Sequence, residues 1–138
     1  MSLLVFHEIR VFDGEEMLAG PQSVIVRDGR VERVVEPAAL PESLLAEARE
    51  RGALVQQPGA TLLPGLIDLH VHLIWDGSDD PVRSLALETR EQTLLKGVGF
   101  AATTLRAGIT TVRDLGSVHD QAIRLAEAVE RGWISGPR

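Results

Sequence analysis

From Leu66 onward the chain alternates strand and helix, and that order leaves few folds open. Leu66 to His72 is an apolar segment of strand length, followed by an acidic loop, IWDGSDDP, at Ile74 to Pro81. A long helix is expected from about Val82 to Ala107, with Leu94, Leu95, Val98, Ala101, Ala102 and Leu105 at helical spacing. Ile109 to Leu115 reads as a second strand. About Asp120 to Arg131 reads as a second helix, carrying Ala122, Ile123, Ala126 and Val129. Strands joined by crossover helices lie parallel, and parallel strands need neighbours at their edges and cover on both faces. A further strand is expected to begin near Trp133 and Ile134. The alternation thus predicts a sheet larger than the two strands these residues supply.

Ahead of this region lies material for a small sheet. Leu3 to Phe12 alternates as a strand does, and Asp13-Gly14 ends it. Ser23 to Val26 and Val31 to Val35 flank Arg27-Asp28-Gly29-Arg30, whose Asp-Gly centre suits a type I′ hairpin. Pro41 to Arg51 reads as a short helix, with Leu44, Leu45 and Ala48 on one side and Gly52 as its stop. The texture changes near residue 60, so two portions are expected, 1–60 and 61–138.

Composition narrows the function classes. Of the 138 residues, 44% are hydrophobic and 25% charged, the balance of a globular protein. The formal net charge of -6 and the lack of any basic stripe argue against nucleic acid or an anionic membrane surface as partner. No window offers about 18 uninterrupted apolar residues, and the amino terminus lacks a positive region followed by an apolar one. A cytoplasmic location is the expectation. With no cysteine, any metal must rely on histidine, carboxylate or a modified side chain.

Within LLPGLIDLHVHL, His70 and His72 stand two apart on a strand and so point the same way. Taken alone, this spacing more often describes two polar residues on the solvent face of a half-buried strand. Context favours ligands: a Pro-Gly turn before the strand, Asp68 two residues ahead and the acidic loop after it all accompany the pair. Neutral imidazoles at the carboxyl end of a parallel strand are where α/β folds gather their active sites, and a catalytic ion needs three protein ligands plus water. Two ligands begin a site without completing it.

PGLIDLHVH, Pro64 to His72, resembles the first-strand signature of the amidohydrolase superfamily of metal-dependent hydrolases. AGITTVRDLGS, Ala107 to Ser117, resembles the second strand of its imidazolonepropionase and prolidase-like branch. ISGPR, Ile134 to Arg138, is similar to the approach to that branch's third strand. The resemblance implies an α/β chain that begins a TIM-type (β/α) barrel, preceded by part of a small β-sandwich and incomplete by itself. It assigns His70 and His72 to a metal site of one or two divalent ions, zinc above all, completed by residues of later strands. It also implies hydrolysis of C–N bonds in a small amide, cyclic amide or dipeptide by metal-activated water.

Other candidates divide between two roles. Asp68 shares the parity of the histidines and could orient an imidazole, or satisfy backbone donors one pleat below. Arg113 and Asp114 end the second strand and either pair with each other or border the pocket. Asp76, Asp79 and Asp80 would favour a cationic substrate if they line that pocket; otherwise they form a solvated loop. Lys96 falls within the helix rather than at a strand end, and His7 and His119 lack ligand-like neighbours, so all three are set aside. No catalytic acid or base is assignable, and the 138 residues alone are expected to be inactive. The enzyme expected is one whose remaining chain, or a complementing partner chain, supplies the missing strands; a homo-oligomer fits as well. The rival from another class is a non-catalytic binding domain.

Overall fold

In the computed structural model, which describes residues 2–138, Asp28 and Gly29 both take positive φ, 49° and 76°. That is the backbone a two-residue type I′ turn requires, and it joins β2 (Gln22–Arg27) to β3 (Arg30–Val35) as antiparallel neighbours. With β1 (Leu3–Val11), β4 (Leu54–Val55) and β5 (Thr61–Leu62) they form a sheet ordered β3-β2-β1-β4, with β5 pairing the far end of β1, and α1 (Glu42–Glu50) precedes β4. Val5 and Ile25 face α1, where Leu44, Leu45 and Ala48 meet them in one core.

The alternation of β1 does not run through. Glu8 has φ 56° and the register to β2 shifts between Phe6 and Ile9, a bulge that reverses side-chain parity. Ile9 and Val11 therefore cluster with Val24 and Phe6, on the face opposite Val5. β3 pairs only with β2 among the described residues, so its outer edge is open, as expected for a small sheet that needs another strand.

A first compact unit ends at Pro64 and a second begins at Gly65. Thr61 and Leu62 pair with Arg10 and Val11 of β1 and so belong to the first unit. The second unit opens with β6 (Leu66–Val71), continues through α2 (Pro81–Leu87) and α3 (Arg90–Arg106) to β7 (Ile109–Asp114), and closes on α4 (Gln121–Glu130). β6 and β7 are parallel, with Leu66 opposite Ile109 and Val71 opposite Asp114.

The single long helix expected from about Val82 to Ala107 is two helices. Glu88 and Thr89 are extended between them, and Thr89 starts α3 with a reciprocal cap. Its hydroxyl accepts from the Gln92 amide at 3.3 Å, and the Gln92 side chain accepts from the Thr89 amide at 2.8 Å. Thr-x-x-Gln is a helix-start pattern, and the apolar periodicity running across it conceals the break. Asp80 begins α2 in a similar way, accepting from the Arg83 amide at 3.0 Å.

The strand expected near Trp133 does not start there. Trp133 lies exposed under the Arg131 guanidinium, 5.1 Å from the ring centre. Strand-like pairing begins only at Arg138, whose amide donates to Thr110 O and whose carbonyl accepts from Val112 N, both at 2.8 Å. Arg138 thus lies parallel beside β7. Behind the strands, Ile74, Thr93, Ala101, Gln121 and Leu125 are buried, and Gln121 Nε2 ties the helices by donating to Thr93 Oγ1 at 3.0 Å and Arg90 O at 2.8 Å.

Candidate metal centre

His70 lies near the carboxyl end of β6 and His72 just past it, and the two imidazoles meet edge to face with ring centres 5.4 Å apart. His72 is held on two sides. Its Nδ1 lies 2.8 Å from Gly116 O, on the loop after β7, and a carbonyl can only accept, so Nδ1 carries the proton. Its ring also stacks on Trp75 at 4.3 Å, the planes 15° apart. In the neutral ring this leaves the free lone pair on Nε2, the arrangement found when the second nitrogen of a ligand histidine fixes its tautomer.

The pair fits a shared ion in its donor chemistry and in its spacing. Two imidazoles bound through nitrogens at about 2.1 Å have ring centres roughly 4.5 to 5.5 Å apart. Among the described residues no third histidine or carboxylate joins them in a cluster able to hold a metal.

The surrounding carboxylates work on backbone. Asp68 Oδ1 accepts from the His70 amide at 3.0 Å, so it satisfies a backbone donor and bonds to neither imidazole. Asp114 spans both loops, with Oδ2 accepting from the Leu73 amide and Oδ1 from the Gly116 amide, each at 2.9 Å. Arg113 does not pair with Asp114; its Nε donates to Leu69 O on β6 at 2.9 Å. Sequence reasoning missed Gly116, Asp114's two bonds and Trp75, because loop carbonyls and amides carry no side-chain signature. Only Trp75, three residues past His72, left a signal. His7 bonds Ser23 Oγ in the first unit, and His119 sits exposed at φ 59°.

The acidic loop is not free in solvent. Lys96 Nζ donates to Glu88 at 2.6 Å and to Asp76 at 3.2 Å, which pins the loop and the end of α2 to α3. Hydrogen bonds from Ser78, then the one from Lys96, hold the Asp76 carboxyl well below its usual range; Glu88, then Asp76, raises Lys96. A depressed carboxylate stabilises the fold above about pH 4, and that stability is lost as pH falls through its folded value. A raised lysine stabilises below its usual 10.5, and that stability is lost as pH climbs through its folded value. Lys96→Met is therefore expected to lower stability at neutral pH and to flatten the alkaline limb above pH 10.5, as followed by denaturation midpoints across pH. An unchanged alkaline limb would show that the ion cluster carries no stability.

Residues 61–138, more than half of the chain, match the amidohydrolase family. The chain belongs to the amidohydrolase family. This amidohydrolase chain is 34% identical over 77 residues to an imidazolonepropionase of Ectopseudomonas mendocina, which covers 56% of it and 18% of that relative. It is 36% identical over 136 residues to a dihydroorotase of Streptomyces coelicolor, covering 99% of this chain and 25% of the relative. A prolidase crystallised with N-methylphosphonate-L-proline aligns at a TM-score of 0.74 and 27% identity, over 99% of this chain and 31% of that one. The amidohydrolase chain therefore spans about a fifth to a third of the proteins it resembles. These relatives bear out the imidazolonepropionase and prolidase-like resemblance, and the mixed α/β structure agrees with such neighbours.

Proposed function

We propose that these residues are the amino-terminal part of a metal-dependent hydrolase acting on C–N bonds of a small amide, cyclic amide or dipeptide. The observation that carries this reading is His72, whose Nδ1 proton is committed to Gly116 O while its other nitrogen stays free beside His70. His70 and His72 would hold a divalent ion, and zinc suits such nitrogen donors. What a bound ion supplies is polarisation of the scissile carbonyl and a water acidified to near neutral pH. The chain's own part is positional. Gly116 keeps one tautomer, Trp75 braces the ring, and Asp114 holds the loops after β6 and β7 in register.

In this reading the first residues, to about 60, are the front of a small β-sandwich, and 61–138 are the first β/α units of a barrel. Support comes from β6, where Leu66, Ile67 and Leu69 are 49%, 64% and 60% exposed. Apolar residues on adjacent positions of a parallel strand call for cover on both faces. The pairing of Arg138 beside β7 supports a third parallel strand in that place. No helix among the described residues is long and apolar enough to cross a membrane.

Metal content tests the reading. The full-length gene product, purified from its host without chelator, is expected to carry one or two equivalents of a divalent ion and to hydrolyse members of a dipeptide and cyclic-amide panel. Removing the ion should abolish that hydrolysis, and zinc should restore it. A metal-free protein that hydrolyses the panel unaided would end the proposal.

A further inference from the structure

Beside His72 lies a pocket of about 480 Å³, within the size range of small-molecule sites. Its apolar walls are Trp75, Val82, Leu85, Ala86 and Val118, from the loop after β6, from α2 and from the loop after β7, and Gly116 and Ser117 complete the lining. Val82 is 65% exposed, Val118 41% and Trp75 37%, so large apolar side chains converge on one concavity instead of being scattered.

Charge decides what kind of occupant. A cationic substrate group was the expectation if the acidic loop lined the site. Asp76 instead turns to Ser78 and Lys96, Asp80 caps α2, and Asp79 is not among the lining residues. Apart from His72, the pocket has no ionisable side chain, so a cation would lose its hydration without gaining a counter-charge. An apolar group loses nothing there. The stacking of Trp75 on His72 joins the pocket wall to the candidate ligand.

We propose that this pocket receives an uncharged, apolar substituent of the substrate adjacent to the scissile bond, with Trp75, Val82, Leu85 and Val118 determining specificity. The inference rests on the hydrolase reading for the word substrate, but its preference can be measured without turnover.

Calorimetric titration of the full-length protein with N-acetylphenylalaninamide and N-acetyllysinamide tests it. The phenylalanine probe is expected to bind at least about 10-fold more tightly, the scale on which hydrophobic pockets discriminate. Val82→Asp should bring the two affinities together, and Val82→Leu should keep them apart. Val82 is largely solvent-facing, so both variants are compatible with the fold. Equal affinities in the wild type, as a pocket filled by the rest of the protein would give, overturn the proposal, and so does a preference untouched by Val82→Asp. Metal analysis of the same samples separates the two readings. A preference without bound metal keeps the pocket and sinks the hydrolase; bound metal without a preference does the reverse.

Discussion

His70→Asn and His72→Asn, each made in the full-length protein, are expected to lose bound metal and to drop kcat/KM on the order of 10³-fold. Losing an ion that polarises the carbonyl removes several kcal/mol of transition-state stabilisation, at 1.36 kcal/mol per tenfold. Asparagine keeps the side chain polar and short, so the strand is little disturbed. The double variant should be hardly worse than either single one, because residues that act as a unit do not add. Asp68→Asn serves as the contrast. Asp68 accepts from the His70 amide and touches neither ring nitrogen, so its loss should lower stability more than metal content. If both histidine variants keep their metal and their rate, the pair is two polar residues on a strand face, and the hydrolase reading loses its support.

Gly65→Ala is expected to destabilise the second unit by about 3 kcal/mol or more. A Cβ built on Gly65 would overlap Thr110 Oγ1 and Cγ2 and lie 2.7 Å from the Thr110 Cβ. Overpacking inside a folded structure typically costs 1–3 kcal/mol, and this contact lies at the dear end because relief is blocked. Rotating the threonine cannot move its own Cβ. Shifting the backbone would disturb the Leu66 amide, which donates to Gly108 O at 2.9 Å, and the Thr110 carbonyl, which accepts from the Arg138 amide. Thr110→Gly added to Gly65→Ala should recover most of the loss. Thermal or denaturant midpoints of the three variants settle it, and a Gly65→Ala protein as stable as the wild type would show that the strands part more readily than their geometry indicates.

How far the residues announced this structure depends on whether each signal was local. The Asp28-Gly29 turn and the Gly52 stop after α1, at φ 63°, are decided within a few residues, so they could be read directly. The histidine pair was legible for a similar reason, since strand parity alone puts His70 and His72 on one face. The break before α3 was present as Thr89-x-x-Gln92, but the apolar spacing on both sides outweighed it. The β1 bulge left no mark, because Glu8 in a left-handed conformation is an outcome of pairing with β2. What holds His72 was illegible for the same cause: Gly116 contributes a carbonyl that any residue has, and only the β6–β7 register brings it within reach.

That register has a kinetic side. Gly116 lies 44 positions beyond His72, and Asp114 lies 41 beyond Leu73. Contacts so far apart along the chain form late, because the entropy of closing the intervening loop is lost before the contact rewards it. Until α2, α3 and β7 are in place, Gly116 O is not there to hold the His72 ring. The histidine pair appears early in the polypeptide, but the contact that orients the His72 ring forms only when the crossover has closed.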